Sequence, residues 1–371
     1  MRCQGVQQWS VRAWLNRVVS STDLALVAER LVPVVERLLV DHPSIPSAAL
    51  ALLGPDGQRA EVVRGVADSA VREPLTALHT YRIASCTKPF VAATVVALVA
   101  EGSVVLDAPV IEFVAPAVAD LFERYEHGRT VTVRQVVQHR SGLVDHSTFP
   151  EFDASVTAEW TPLQQLAIAV GKPALFAPGT AMSYSDSGYV LLGQMVEHLT
   201  DQSLAAAVRA RVALDATTMP SLHWEIFEAT PPGSPRAHQW FEGDDSFDWN
   251  PSFDLFGGGG LVSTLADLTC WWSNWFTGVH GDIAAHLADP APTLGPDGTQ
   301  FPGGDRMGLG LYGRRTGEVQ VWSHGGFWGL ETGYAPDLSV AYAVSLTHRA
   351  PELPGPRVLA DALVGQLAAG R

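Results

Sequence analysis

Apolar residues recur at three- and four-residue spacing at Leu24, Val27, Leu31, Val34 and Leu38, directly after Ser21-Thr22-Asp23. This pattern predicts a capped amphipathic helix over 22–40. Two short apolar runs follow, 48–53 and 60–66, separated by Gly54-Pro55-Asp56-Gly57, the signature of a β-hairpin. A second helix opens at Ser85, carries Pro89 in its first turn where a missing N–H is harmless, and ends at Glu101-Gly102. Its run 90–100 is the longest apolar stretch; it is too short to span a bilayer and reads as a buried helix. From about 110 to 230 the period is helical, with caps at Thr161-Pro162 and Ser203 and apolar faces over 163–170, 189–199 and 204–212. Beyond that, 307–312, 318–323, 329–334 and 340–347 alternate with glycines and predict successive antiparallel strands, and 357–369 a closing helix.

Helix, strands, helical block, strands and helix predict an α+β fold: an antiparallel sheet assembled from both ends of the chain, flanked by helices, with an all-α lobe inserted. The expected division is an N-terminal extension over 1–21, a discontinuous α/β lobe over 22–109 and 256–371, and a mainly helical lobe over 110–255, with the active site at the interface. The Pro/Gly-rich stretch 289–304 reads as a surface loop.

With 371 residues, 47% hydrophobic and 17% charged, the chain has ample material for a cored globular protein. A formal charge of −15 repels phosphate backbones and anionic lipid, so no nucleic-acid or membrane partner is expected. Cys3, Cys86 and Cys270 are too scattered for a disulfide framework or a metal-ligand pair, and neither a metal nor an organic cofactor is expected. Gln4, Gln7, Gln8, Arg12, Asn16 and Arg17 interrupt any apolar core of a signal peptide, so the expected compartment is cytoplasmic. Lys88 and Lys172 are the two lysines among 24 Lys and Arg, which singles out each of them.

Ser85-Cys86-Thr87-Lys88 places a hydroxyl and an amine one helical turn apart at a helix start, a geometry that suits a nucleophile beside its base. Taken alone, it reads first as a helix cap next to a surface lysine. Tyr184-Ser185-Asp186 follows Pro178-Gly179-Thr180 and feeds a helix, so Tyr184 can point into a cleft or simply pack. Ser323-His324-Gly325-Gly326-Phe327 ends a predicted strand, and the paired glycines allow close backbone approach.

In this order, and with the flanking segments Tyr81-Arg82-Ile83-Ala84, Leu106-Asp107, 133–143, 178–193 and 258–267, the three motifs resemble the serine β-lactamase and penicillin-binding-protein superfamily, in its class C β-lactamase, esterase and D-aminopeptidase branch. The resemblance spans roughly 25 to 348. It implies a β-lactamase/transpeptidase-like fold, Ser85 as acylated nucleophile, and Lys88 with Tyr184 as the proton-handling pair, either being the base. It also implies an oxyanion hole of the Ser85 and Phe327 N–H groups.

Two positions depart from the penicillin-recognising pattern. Asp186 stands where asparagine is usual; a carboxylate only accepts, and it could pair with Lys88 or bind a substrate N–H or ammonium. His324 replaces a lysine and gives a weaker anion site near neutral pH. Between Arg236 and Arg306 there is no Lys or Arg, and Glu242, Asp244, Asp245, Asp248 and Asp254 alternate with aromatics, so this stretch is either an acidic, aromatic cleft wall or a solvated acidic loop with its rings in the core. His139, Asp107, Arg140 and the glycine run 257–260 read as structural. The expected activity is hydrolysis of small esters or amides, including short-chain or aminoacyl esters and D-amino-acid amides or peptides. The alternatives are an acyl-transferase or peptide cyclase, a catalytically silent binding protein of the same fold, and last a true β-lactamase.

Overall fold

The computed structural model describes residues 23–153, 156–212, 214–277, 295 and 306–370. The N-terminal extension over 1–21 and, apart from residue 295, the loop expected over 289–304 lie outside the described residues.

An antiparallel sheet runs in the order β3 (Glu73–Pro74), β2 (Arg59–Asp68), β1 (Ser47–Leu53), β13 (Val340–Leu346), β12 (Leu330–Ala335), β11 (Val319–Gly326), β10 (Tyr312–Thr316) and β9 (Arg306–Met307). Leu50 of β1 lies opposite Val62 on one side and Val344 on the other, so the early hairpin and the late strands close into one sheet, as expected. The strand expected over 307–312 is instead a reversal. Gly308 N–H donates to the Leu311 carbonyl at 2.8 Å and Gly310 takes φ +77°, which brings Tyr312 opposite Met307.

Both faces of β1 are buried. Ala48, Leu50 and Leu52 pack towards α1 (Leu24–Asp41) and the C-terminal helix Arg357–Ala369. Ala49 and Ala51, with Ala341 and Ala343 of β13, face α9 (Leu265–Thr277), whose Trp271, Trp272 and Trp275 fill the space that the alanines leave. Asp23 caps α1 by accepting from the N–H groups of Ala25 and Leu26 at 3.0 and 3.2 Å.

On the tryptophan side lie α2 (Lys88–Ala100), α3 (Pro116–Phe122), α4 (Val133–Val137), α5 (Pro150–Asp153), α6 (Pro162–Val170), α7 (Asp186–Thr200) and α8 (Leu204–Arg211). Capping boxes start α4 at Thr132 and α6 at Thr161. Helix α2 is buried from Lys88 to Leu98 and packs on α7 and α8, in keeping with its apolar sequence. Two small ribbons complete the architecture: β4 (Tyr81–Arg82), β8 (Leu261–Ser263) and β5 (His223–Trp224), and β14 (His348–Arg349), β6 (Trp240–Phe241) and β7 (Asp244–Asp245). No helix among the described residues is long and apolar enough to cross a membrane.

The turn between β11 and β12 depends on Gly329, at φ +85°, where a Cβ would strike the Leu346 carbonyl. Gly329→Ala is expected to cost about 2 kcal/mol, read as a lower urea midpoint; an unchanged midpoint would show that the turn relaxes freely.

Candidate active site

Ser85 sits where β4 passes into a 3₁₀ turn, Ala84–Thr87, that runs straight into α2. Ile83 N–H donates to the Leu261 carbonyl at 3.0 Å, and Leu261 N–H donates to Thr87 Oγ1 at 3.2 Å, stitching the turn to β8. Just upstream, Arg82 donates to both carboxylate oxygens of Glu225, at 2.8 and 2.9 Å, and to the Ser246 and Trp249 carbonyls. Ala84 takes φ +48°, a left-handed conformation that costs a residue with a Cβ about 1–3 kcal/mol. It leaves Ser85 half-exposed among buried neighbours.

The end of β11 closes on the same turn. The Cys86 thiol donates to the His324 carbonyl at 3.2 Å, and a Cβ at Gly326 would collide with the Ile83 carbonyl. One side chain ties the two segments together: Gln239 accepts from Arg82 N–H at 2.9 Å and donates to the Arg82 and Trp328 carbonyls at 3.1 and 3.0 Å. The positions before Ser85 and after Phe327 are thereby held in register.

Lys88 is fully buried. Its Nζ donates to Ser85 Oγ at 2.9 Å, to the Gly258 carbonyl at 2.6 Å and to the Asp186 carboxylate. Three donors meet three acceptors, which is what allows this group to sit away from water. The glycine run 257–260, read from sequence as structural, therefore supplies part of the lysine's shell. Space explains its composition, because a Cβ at Gly258 would press on Asp186 and one at Gly260 on Trp224. Tyr184 Oη donates to Ser85 Oγ at 2.6 Å, and its ring centre is 4.9 Å from Lys88 Nζ. Ser85, Lys88, Tyr184 and Asp186 thus form one connected group. Of the two roles open to Asp186, the structure shows the pairing with Lys88.

Tyr184 and Asp186 flank Ser185, the N-cap of α7. Ser185 N–H donates to His139 Nδ1 at 3.2 Å, and its hydroxyl donates to the Val144 carbonyl at 3.1 Å. The His139 ring lies 4.5 Å from that of Tyr184. Burial, then the Lys88 charge, push its pKa well below the usual imidazole value. Burial, then the Asp186 charge, hold the Tyr184 phenol well above its usual range, so it is protonated at rest.

His324 donates from Nδ1 to the Gly325 carbonyl at 2.7 Å. Burial and the Lys88 charge push its pKa down to about 3, which leaves it neutral and brings no cation to the cleft. Two further carboxylates stand close by: Asp254, from the stretch read as a possible cleft wall, and Asp145, which the sequence reading missed. Burial and the Asp186 charge push Asp145 up to about 7, and the same causes push Asp254, which accepts from Trp328 Nε1 at 3.0 Å, up to about 6. Nothing local in the sequence marks Asp145 beyond the cap that it provides for Ser147.

The expected acidic, aromatic wall is partly realised. Half-exposed Phe327 lies 4.9 Å from Phe241, which continues to Trp249 at 6.3 Å. The acids divide: Asp254 points inward, Asp245 bonds His238 at 2.5 Å, and Glu242 and Asp244 are exposed. Arg349 brings a guanidinium to 4.3 Å over the Phe327 ring, a cation from outside the stretch between Arg236 and Arg306. Asp107 and Arg140 are structural, the first bonded to Arg134 at 2.7 Å and the second to the Gly179 carbonyl. No metal-binding cluster of His, Cys, Asp or Glu occurs among the described residues.

A family model described as Beta-lactamase matches residues 35–366. The chain belongs to the β-lactamase family. Among curated β-lactamase-family relatives, it is 33% identical over 225 residues to esterase EstB of Burkholderia gladioli, covering 54% of this chain and 53% of that protein. It is 26% identical over 267 residues to a D-aminopeptidase of Brucella canis, covering 71% of this chain and 48% of that one. The chain spans about half the length of the curated relatives it matches. A solved structure of D-amino acid amidase from Ochrobactrum anthropi SV3, complexed with D-phenylalanine, superposes with a TM-score of 0.79 at 23% identity over 93% of this chain and 99% of that one, which shows the β-lactamase-family fold.

His324 and His146, the latter pushed down to about 4 chiefly by burial, are expected to stay neutral from pH 5.5 to 8. Histidine ring NMR shifts should be flat for both across that range; a titration centred near 6.5 in either would contradict the burial argument.

Proposed function

We propose that the chain is a serine hydrolase that acts through an acyl-Ser85 intermediate on small esters or amides. The observation that carries this reading is the double donation to one oxygen: Lys88 Nζ at 2.9 Å and Tyr184 Oη at 2.6 Å both reach Ser85 Oγ. In the reactive state, in which the Lys88–Tyr184 pair has first released one proton to solvent, attack forms the Oγ–C bond, the carbonyl π electrons move onto oxygen, and the hydroxyl proton passes to that pair. That pair returns the proton to the departing alkoxide or amine. Water then repeats the sequence on the acyl-enzyme, releasing the acid and restoring Ser85. The N–H groups of Ser85 and Phe327 serve as oxyanion donors, with ~3 kcal/mol for each such donor in the transition state.

Substrate class follows from the charges. Lys88 is spent on internal acceptors and His324 is neutral, so neither offers the cation that a β-lactam carboxylate seeks. Asp186, engaged by Lys88, cannot donate to a substrate carbonyl as an asparagine amide would. The Phe327, Phe241 and Trp249 bank suits an apolar acyl or leaving group. Neutral and amino-bearing substrates therefore fit best: short-chain or aminoacyl esters and D-amino-acid amides. The names of the relatives, an esterase and a D-aminopeptidase, agree with this choice.

Intact-protein mass spectrometry should show a single fluorophosphonate adduct on the wild type and none on Ser85→Ala. Turnover should appear with p-nitrophenyl esters or D-alanine p-nitroanilide and stay at background with a cephalosporin. Tyr184→Phe should lower kcat roughly 10²- to 10⁴-fold. Labelling that persists in Ser85→Ala, or cephalosporin as the best substrate, would overturn the reading.

A further inference from the structure

Residues 235–239 run beside 80–82, the segment that leads to Ser85. At Thr80 the contact is made by backbone: Thr80 N–H donates to the Pro235 carbonyl at 2.8 Å, and Ala237 N–H donates to the Thr80 carbonyl at 2.9 Å. Two residues on, at Arg82, the Gln239 side chain takes over. Its Oε1 accepts from Arg82 N–H at 2.9 Å and its Nε2 donates to the Arg82 carbonyl at 3.1 Å. One side-chain amide thus stands in for a peptide unit along the edge of β4 that β8 does not cover. Nε2 also donates to the Trp328 carbonyl at 3.0 Å. Gln239 is 3% exposed, and its own carbonyl accepts from Ser246 N–H and Oγ at 3.0 and 2.6 Å, so the amide reaches out from a fixed base.

We propose that Gln239 is a positioning residue for the oxyanion hole: it fixes the separation of the Ser85 and Phe327 N–H groups by bonding both chains that carry them. The inference rests on the acyl-Ser85 reading. Before Phe327, the two chains meet where Cys86 Sγ bonds the His324 carbonyl at 3.2 Å and where Gly326 closes on the Ile83 carbonyl. After Phe327, Gln239 supplies the hydrogen-bonded link, from Arg82 to Trp328. The Phe327 peptide is therefore held at both ends against the nucleophile turn. Two donors aimed at one developing oxyanion act together only while their spacing matches it, and a misplacement of about 1 Å costs roughly a hundredfold in rate. The position calls for an amide. A carboxylate would accept from Arg82 N–H but face two carbonyls with no donor, and an apolar chain would leave all three backbone groups without this partner.

The test compares wild type, Gln239→Met and Gln165→Met on a p-nitrophenyl ester from pH 5.5 to 8.5, with their melting temperatures. It adds the inhibition constant of an alkyl boronic acid, whose tetrahedral Ser85 adduct places an oxygen in the hole. Gln165 is a second buried glutamine, bonded to the Ser252 carbonyl at 3.0 Å, and controls for the loss of a buried amide. Gln239→Met should lower kcat roughly tenfold to a hundredfold with KM within about threefold, because acylation and deacylation use the same hole. The boronic acid should weaken by a similar factor. The midpoints of the pH profile should stay at their wild-type values, since the Lys88–Tyr184 pair is untouched, and Gln165→Met should keep the wild-type kcat. The proposal is overturned by a folded Gln239→Met that keeps wild-type kcat, loses kcat without weakening the boronic acid, shifts the pH midpoints, or is matched in its loss by Gln165→Met. If Gln239→Met does not fold, Gln239→Glu, which keeps the Arg82 N–H bond and loses both donations, is read in the same way; two unfolded variants would assign the residue to stability and overturn the proposal. No fluorophosphonate adduct on Ser85 in wild type would instead overturn the acyl-Ser85 reading, and this inference with it.

Discussion

A fully buried lysine Nζ with three hydrogen-bond acceptors is the constraint around which the molecule is arranged. Leaving such a group unpaired away from water costs several kcal/mol, so each acceptor must arrive from its own part of the chain at the correct distance. Ser85 comes from the same turn, Asp186 from the first residue of α7, and the Gly258 carbonyl from the run before β8. Much of the surrounding architecture brings those three together. The bare glycines at 257–260 let the backbone in, the His139 to His146 segment pins the start of α7, and Arg82 with Glu225 locks the approach to the nucleophile turn.

The same arrangement sets the electrostatic character of the cleft. A lysine satisfied internally does not bind substrate charge, and a histidine held neutral by burial does not replace it. Negative charge gathers instead: Asp145 and Asp254 each lie within reach of the Asp186 field, and burial first, then that charge, makes both hold their protons more tightly. The proposed preference for neutral or amino-bearing esters and amides follows from this balance and from the aromatic bank beside Phe327.

What the sequence carried well was local. The periodicity of 22–40, the hairpin turn at 54–57, the apolar helix at 90–100 and the caps at Thr161 and Ser203 each depend on a few neighbouring residues, and each appears in the structure close to its expected place. Ser85, Lys88, Tyr184 and His324 were legible because their motifs have a recognisable order. Helix α9 was not foreseen, since Trp271, Trp272 and Trp275 are helical here because they fill the space over the β1 and β13 alanines, a reason that lies outside their own segment. The reversal at Gly308 to Leu311 reads as a strand in the sequence because its glycines look like the loosened ends of one. Gly258 and Gln239 escape the sequence reading as functional neighbours for a common reason: each acts through a contact with a residue more than 80 positions away, and such contacts leave no spacing to read.

The most direct test of the central claim is the acylation rate of Ser85 in Lys88→Met, followed by intact mass with a p-nitrophenyl ester, with near-ultraviolet circular dichroism to establish that the tryptophan core is intact. Methionine preserves the length and packing of the chain but offers no donor. The account predicts a folded protein in which acyl-Ser85 forms at least about a hundredfold more slowly than in wild type. A folded variant that acylates at the wild-type rate would show that the buried lysine organises the fold without taking part in the chemistry.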